Sequence, residues 1–395
     1  MISFDEAVEL IGSVAKPLGT ETVAMAEAAG RVLARPIVAQ IDSPRSDVSA
    51  MDGYAVRDWD LADYPVSLTV VGESFAGRGW DGTVAPGTCA RIFTGAPVPS
   101  GADRVVIQEN VQREGDFAII GENPGRARHI RKRSSEFHSG DELLAAGRRL
   151  DPRAIVAAAG ADILELTVHR RPRLHILSTG DELAEPGTAG NKADAIPESV
   201  SFGVAALAEQ WGAERAGRAL LRDDLPSMRF VAAGALETAD AIVVTGGASV
   251  GEKDFARAMF EPLGLELIFS RVSIKPGKPI WLGRVGERLV MGLPGNPTSA
   301  LVTARLFLAP LLAGLTGRPI ERALAWRSIP LASALSDCGE RETFHRARRV
   351  GGAAETLSFQ DSSAQMALAQ ADLLVRQRAN APAMAPGELA EVLDF

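Results

Sequence analysis

The sequence predicts a multidomain α/β protein, built on a parallel-sheet domain with helices on both faces and accompanied by β-rich satellite domains. Three observations predict it. Between residues 172 and 318, short β-branched apolar runs take turns with helical stretches. Those runs do not alternate polar with apolar residues, so they read as strands buried on both faces. From Ser67 to Ile120, and again after Pro319, short strands are broken by Gly and Pro at the spacing of small β domains. Finally, 395 residues predict two to four domains rather than one core.

Taken in order, residues 1–40 hold two helix-like patterns, Phe4–Ala15 and Val23–Leu33, parted by Lys16-Pro17-Leu18-Gly19. A polar loop follows and ends in Met51-Asp52-Gly53-Tyr54, where Asp-Gly reads first as a tight hairpin turn. Strands are expected at Ser67–Val71, Cys89–Phe93, Arg104–Gln108 and Phe117–Ile120. Thr94, in the loop 93–103, reads either as a turn residue or as a phosphate-contacting hydroxyl. The basic run at 126–133 reads as a solvated face or an anion patch at an interface. A short helix is expected at Pro152–Ala159. Beyond Pro172 come a strand at Leu174–Leu177, a helix at Val200–Trp211, a strand at Glu214–Leu220, a helix at Met228–Glu237, a strand at Ala241–Val244 and a helix at Phe255–Phe260. In the stretch 268–310, strands cut by Pro/Gly turns give way after Asn296 to a buried helix. Asn296 is a suitable N-cap and Pro297 suits the first turn.

In parallel sheets ligands bind outside the carboxyl ends of the strands. The acid- and glycine-rich tips at 179–182, 222–224, 245–254 and 294–299 all fall there. Asp52, Asp181, Glu182, Asp223, Asp224 and Asp254 are hard oxygen donors suited to Mg²⁺, and equally suited to capping helices and forming turns. Lys275 and Lys278 sit on a loop stiffened by Pro276 and Pro279, ahead of a helix start that favours an anion. They read as surface charge or as an oxyanion site. An acidic half beside a basic half fits a Mg²⁺-bridged phosphate next to a second oxyanion. Gly247-Ala-Ser249-Val-Gly251 has the spacing and context of a hydrolase nucleophile elbow, for which Asp337 and His345 would complete a triad. The competing reading is a phosphate cradle in which Gly246 and Gly247 let backbone approach a ligand.

A net charge of -8 gives no reason to expect nucleic acid. The first residues lack the basic and apolar regions of a signal peptide, and no run of about 18 apolar residues is evident, so no membrane span is expected. The 2 cysteines, Cys89 and Cys338, are too few for a disulfide framework, and the 5 histidines are scattered without a His-x-x-x-His pair. A cytoplasmic location is the default expectation.

Six segments together resemble the molybdopterin molybdenumtransferase family, the MoeA proteins and the C-terminal part of gephyrin. They are Ser49–Val56, Thr94–Pro99, Ser178–Leu183, the run from Thr245 to Asp254, Lys275–Pro279 and Leu293–Pro297, in the family order over nearly the whole chain. The resemblance implies an enzyme that inserts molybdate into adenylylated molybdopterin, with Mg²⁺ and release of AMP. It also implies an elongated homodimer of four-domain subunits with the active site at the dimer contact. The divisions it implies are a linker domain from 1–40 and 139–171, a β-rich domain at 41–138, an α/β molybdopterin-binding domain at 172–318 and a C-terminal β domain at 319–395. By motif match, Gly246, Gly247, Ser249, Asp254, Pro294, Asn296 and Pro297 lie on the pterin-phosphate side. Asp52, Thr94, Glu182 and Asp224 would serve Mg²⁺ and the pyrophosphate linkage, with Asp52 contributed by the partner subunit. Molybdate would sit near Lys275, Lys278, Ser299 and Arg346, with Ser362 or Ser363. A carboxylate such as Asp52 or Asp254 is the candidate base. The implied partners are the molybdopterin adenylyltransferase and the enzymes that accept the cofactor.

The chain departs from the family pattern in four places. Glu198-Ser199-Val200 stands for Asp-Ser-Asn, Val48 for Asn, Ser134-Ser135-Glu136 for Gly-Glu-Asp, and Ala371-Asp372 for Ala-Asn. Replacing Asn by Val200 removes a donor and an acceptor. These departures motivate an alternative, a non-catalytic molybdopterin-binding or scaffolding paralogue. The serine hydrolase using Ser249 is the other.

Overall fold

A computed structural model describes residues 1–246 and 255–395. The α/β unit is a six-stranded sheet in the order Glu214–Leu221, Arg173–Thr179, Ala241–Thr245, Arg288–Leu293, Trp281–Val285, Glu266–Ser270. Its first four strands are parallel, as expected. Trp281–Val285 runs antiparallel to both its neighbours, and a Gly286 turn joins it directly to Arg288–Leu293 with no crossover helix between them. Successive residues feed opposite faces: Ala241, Val243, Met291 and Leu293 enter one apolar cluster, and Ile242, Val244 and Val290 the other. Helices Val200–Gln210 and Pro297–Thr303 cover the first face, and helix Leu225–Thr238 covers the second.

Of the two helices expected before residue 40, Phe4–Val14 forms, capped by Ser3 in a capping box with Glu6. Its buried Phe4 and Ile11 pack into the α/β core rather than beside residues 20–40. The second helix does not form. Thr20–Ala24 is a strand paired antiparallel with Glu165–His169, followed by a single turn at Met25–Glu27. Thr20, Thr22 and Val23 are β-branched, and a ready partner strand outweighs a helical spacing. Val23, Leu33 and Ile37 share a core with Phe137, Ala154 and Leu166, so residues far apart in sequence build the linker unit. The expected strands between 67 and 120 form at Val66–Ser74, Thr88–Ile92, Arg104–Ile107 and Phe117–Ile120 in one six-stranded sheet. A further six-stranded sheet holds the C-terminal strands, and Ile274–Lys275 from the α/β unit adds to its edge, parallel to Glu342–Val350.

Helical residues Pro297–Leu315 are long and apolar enough to cross a membrane by length and composition, contrary to the expectation that no such run exists. They are 94% buried within the protein and form its central helix.

Glu198 is buried at the start of helix Val200–Gln210. It accepts from the Ser201 amide (2.8 Å) and from Arg218 Nη2 (2.8 Å). Burial pushes its pKa up, but the bonds from Ser201 and Arg218 outweigh that and hold it below the usual value. Val200, the other departure here, packs its side chain on the apolar core. Arg218→Ala strands a buried carboxylate and is expected to cost about 3 kcal/mol in urea unfolding at pH 7. In the wild type this contribution is full above the unfolded carboxylate pKa and is lost as the pH falls through the depressed folded value. A parallel fall of wild type and variant in acid would refute this account.

Candidate functional site

The carboxyl ends of the parallel strands are packed by glycine. Gly246, just after Ala241–Thr245, has φ +89°, and a Cβ there would lie 2.3 Å from the Thr179 carbonyl oxygen. A Cβ on Gly295 would come 3.3 Å from Gly246 Cα. Three tips therefore meet backbone to backbone, which only glycine allows. Beneath them Thr245 donates its hydroxyl to Ser178 Oγ (3.1 Å), so the buried hydroxyls satisfy one another. Gly247, Ser249 and Asp254 lie outside the described residues.

The acids arrange themselves around these tips. The Glu182 carboxylate folds back over Gly180, 2.7 Å from where a Cβ would stand. Asp181 Oδ1 accepts from the Asp223 amide (3.1 Å), which ties two neighbouring tips together. Asp224 caps helix Leu225–Thr238 by accepting from the Ser227 amide (3.1 Å), and the Ser227 hydroxyl and amide hold its carboxyl below the usual value. Among the described residues the amide bond falls on Oδ2.

Asp52 does not sit in a hairpin turn. Gly53 begins the strand Gly53–Val56, with strands on both sides, and a Cβ there would lie 2.0 Å from the Val106 carbonyl oxygen. Asp52 Oδ1 accepts from the Thr94 amide (2.7 Å) and hydroxyl (2.8 Å), which hold its carboxyl below the usual value. Thr94 is thus a turn residue whose amide and hydroxyl orient the acid. Among the described residues, no hydrogen bond or ion pair joins the Asp52 and Thr94 side chains to the sheet tips.

At the fourth tip Asn296 is the N-cap position of the central helix, but its side chain does not cap it. Asn296 Nδ2 instead donates to Ser362 Oγ (2.8 Å), and the Thr298 amide donates to the Ser362 carbonyl (3.2 Å). The C-terminal unit thus reaches onto the helix start. Pro294 is buried just before it, Pro297 is the first helical residue, and Ser299 is buried one turn in. Ser363 turns away and donates to Asp361 Oδ1 (2.6 Å). Arg346 is fully buried and spends its guanidinium on the loop that carries Ser362, donating to Gln360 Oε1 (3.2 Å), the Asp361 carbonyl (3.0 Å) and the Phe359 carbonyl (3.4 Å).

Lys275 and Lys278 are exposed and, among the described residues, form no ion pair. Their loop is seated by Gly277, where a Cβ would lie 2.1 Å from Thr303 Cγ2 on the central helix. Both lysines line a cavity of about 920 Å³ between this loop and the C-terminal unit. Thr343 and His345 line it too, whereas Arg346, on the alternate face of Glu342–Val350, does not. His345 entered the sequence reading only as a hydrolase residue. The alternation of Phe344 and Arg346 with Thr343 and His345 is the signal that separates the two faces.

Comparison with known proteins agrees with this architecture. Residues 2–161 match the model of the MoeA N-terminal region (domain I and II), and residues 175–314 match that of a probable molybdopterin binding domain. A molybdopterin molybdenumtransferase from Nostoc is 36% identical over 335 residues, covering 82% of this chain and 76% of that protein. The chain belongs to the molybdopterin molybdenumtransferase family. A second member of that family, from Haemophilus influenzae, is 36% identical over 85% of this chain and 82% of its own length. The crystal structure of a molybdopterin biosynthesis MoeA protein from Pyrococcus horikoshii superposes with a TM-score of 0.87 at 26% identity, covering 100% of both chains. As a member of this transferase family, the chain is an enzyme of molybdenum cofactor biosynthesis.

Two departures from the family pattern have local structural roles. Asp372 Oδ2 accepts from the Arg349 amide (2.9 Å), and Val48 pairs with Arg131 in a short strand.

Two outcomes are expected. Gly246→Ala should cost roughly 2 kcal/mol in urea unfolding, from a left-handed backbone and the Thr179 carbonyl together. Thr94→Val removes one of the two bonds to Asp52 and should move its carboxyl pKa upward, read by carbon NMR of the carboxyl. An unmoved Asp52 titration would show that the Thr94 hydroxyl does not tune it.

Proposed function

We propose that this enzyme transfers molybdate into adenylylated molybdopterin and releases AMP, in a homodimer whose two subunits share each site. One observation carries the reading: the glycine-packed tips meet at the start of the buried helix, and the Lys275–Lys278 loop rests on Thr303 of the same helix. The tips bring glycine backbone and carboxylates, which suit a phosphate held through a cation. The loop brings two cations, which suit a free oxyanion.

The donors fit Mg²⁺, which takes one or two carboxylates and completes its shell with water and substrate phosphate. Among the described residues no group of three metal ligands is preassembled in one chain, and that fits a site completed by substrate and a partner. Glu182 and Asp224 from one subunit, with Asp52 from its partner, would hold the ion. Bound there, it neutralises phosphoryl oxygens and makes the phosphorus more electrophilic. The chain's own groups then do the rest. Gly246 and Asn296 position the pterin phosphate, Thr94 orients Asp52, and Lys275 and Lys278 hold the molybdate dianion against the dithiolene. Attack of water on the adenylate phosphorus breaks the phosphoanhydride bond and frees AMP and the pterin phosphate. Attack by a molybdate oxygen instead expels the pterin phosphate and gives adenylyl molybdate, which water then hydrolyses to AMP and molybdate.

AMP release from adenylylated molybdopterin by the purified protein, with Mg²⁺ and with or without molybdate, tests the reading. Molybdate-dependent release is expected. Tight pterin binding with no AMP under either condition would replace it with the scaffolding alternative. Asp52→Ala should lower release by on the order of a hundredfold with the fold intact. Mixing Asp52→Ala and Glu182→Ala subunits one to one should restore about a quarter of the wild-type sites if each site is shared, and none if it is not.

A further inference from the structure

We propose that His345 is a third ligand of the oxyanion held by Lys275 and Lys278, and that it takes up one proton when the anion binds. The inference rests on the reading that this cavity receives an oxyanion. It begins with the parallel pairing of Lys275 with Thr343, which sets Lys275, Thr343 and His345 on one face and into the same cavity. The tautomer follows from the neighbours. Gln377 Nε2 donates to the Ser336 carbonyl (2.7 Å) and the Pro382 carbonyl (3.4 Å), so the Gln377 oxygen is the atom turned towards His345. His345 Nε2 lies 3.0 Å from that oxygen and must carry a proton to bond it. Nδ1 is then the ring's remaining acceptor, and among the described residues it has no protein partner.

Burial and the charges around the ring disfavour protonation of that nitrogen while the cavity is empty of anion. Burial pushes the His345 pKa down, the Gln377 bond pushes it up, and Lys275 and Arg346 push it down again. The other charged or titratable groups lining the cavity are Lys278 on the lysine loop, Asp337, Cys338, Glu340 and Arg341 on the approaching segment, and the chain's first residue, Met1. An oxyanion between the two lysines cancels their repulsion and offers oxygen to Nδ1, so the protonated ring becomes the favoured form. The proton comes from solvent, no bond breaks, and the imidazolium then donates at both nitrogens. Binding and protonation are linked: oxyanion affinity is greatest below the His345 pKa of the free protein. It falls as the pH rises from there to the higher pKa of the complex.

The test is calorimetric titration of molybdate into the full-length protein at several pH values between about 6 and 8.5, in two buffers of different ionisation enthalpy, which counts protons. The wild type should take up as much as one proton per anion, and its affinity should fall by up to about tenfold per pH unit within that window. His345→Gln keeps a side chain that can bond Gln377 but cannot titrate, and it should lose both the uptake and the pH slope. Any proton carried by the anion itself would persist in this variant. Uptake and slope unchanged in His345→Gln would overturn the proposal. If that variant fails to fold, proton NMR of the wild-type imidazole decides, because the His345 pKa must rise when molybdate is added. The Lys275→Ala/Lys278→Ala double variant separates the two claims. If it still binds molybdate normally, the oxyanion reading of the cavity fails. If it loses binding while His345→Gln behaves as the wild type, only the histidine's role fails.

Discussion

The burial of one apolar helix is the constraint on which the rest of the structure depends. Residues 297–315 are too apolar to leave exposed, and no single sheet can cover a helix on every side. The chain solves this by bringing several units to it. Phe4 from the first helix meets Phe307 with ring centroids 5.5 Å apart and Phe344 of the C-terminal sheet at 5.1 Å. Arg305 is the polar exception. Its guanidinium is buried, its pKa pushed down to about 10, and its donors are spent on the Asp394 and Ala323 carbonyls. A charged group inside such a core is tolerated because those acceptors are built in. One consequence is that the N-terminal helix, the α/β sheet and the C-terminal unit share a single apolar cluster.

That shared core places the site. Because the helix is held along its length, its first turn stays at the strand tips, where Gly246 and Gly295 bring backbone together. The same packing lets the lysine loop rest on Thr303 and the Ser362 loop rest on Asn296. The candidate site is therefore assembled from segments that the helix holds in common.

The acids at the two ends of the fold differ in how fully their oxygens are used. Asp240, at the opposite end of the sheet, is buried and receives Arg170 through both oxygens, Arg288 and the Arg173 amide. Glu198 is likewise saturated by Ser201 and Arg218. Asp52 receives both Thr94 bonds on one oxygen, and Asp224 receives its hydrogen bonds from Ser227 alone among the described residues.

The sequence by itself determined the strand and helix order of the α/β unit, the four converging tips, the capping position of Asn296 and the segments that carry the family resemblance. These depend on short-range pattern: apolar runs, turn residues and glycines where backbone must pass closely. Tertiary structure decided what depends on partners distant in the chain. Residues 23–33 are helical in pattern, but Val23 and Ala24 pair with the strand Glu165–His169 and only a single turn forms at Met25–Glu27. Asp52-Gly53 has the composition of a turn but is clamped between two strands. Arg346 and His345 are adjacent in sequence, yet the pleat sends one to hold a loop and the other into the lysine cavity. A side chain's direction is set by the sheet it joins, and that sheet is completed by residues the local sequence does not contain.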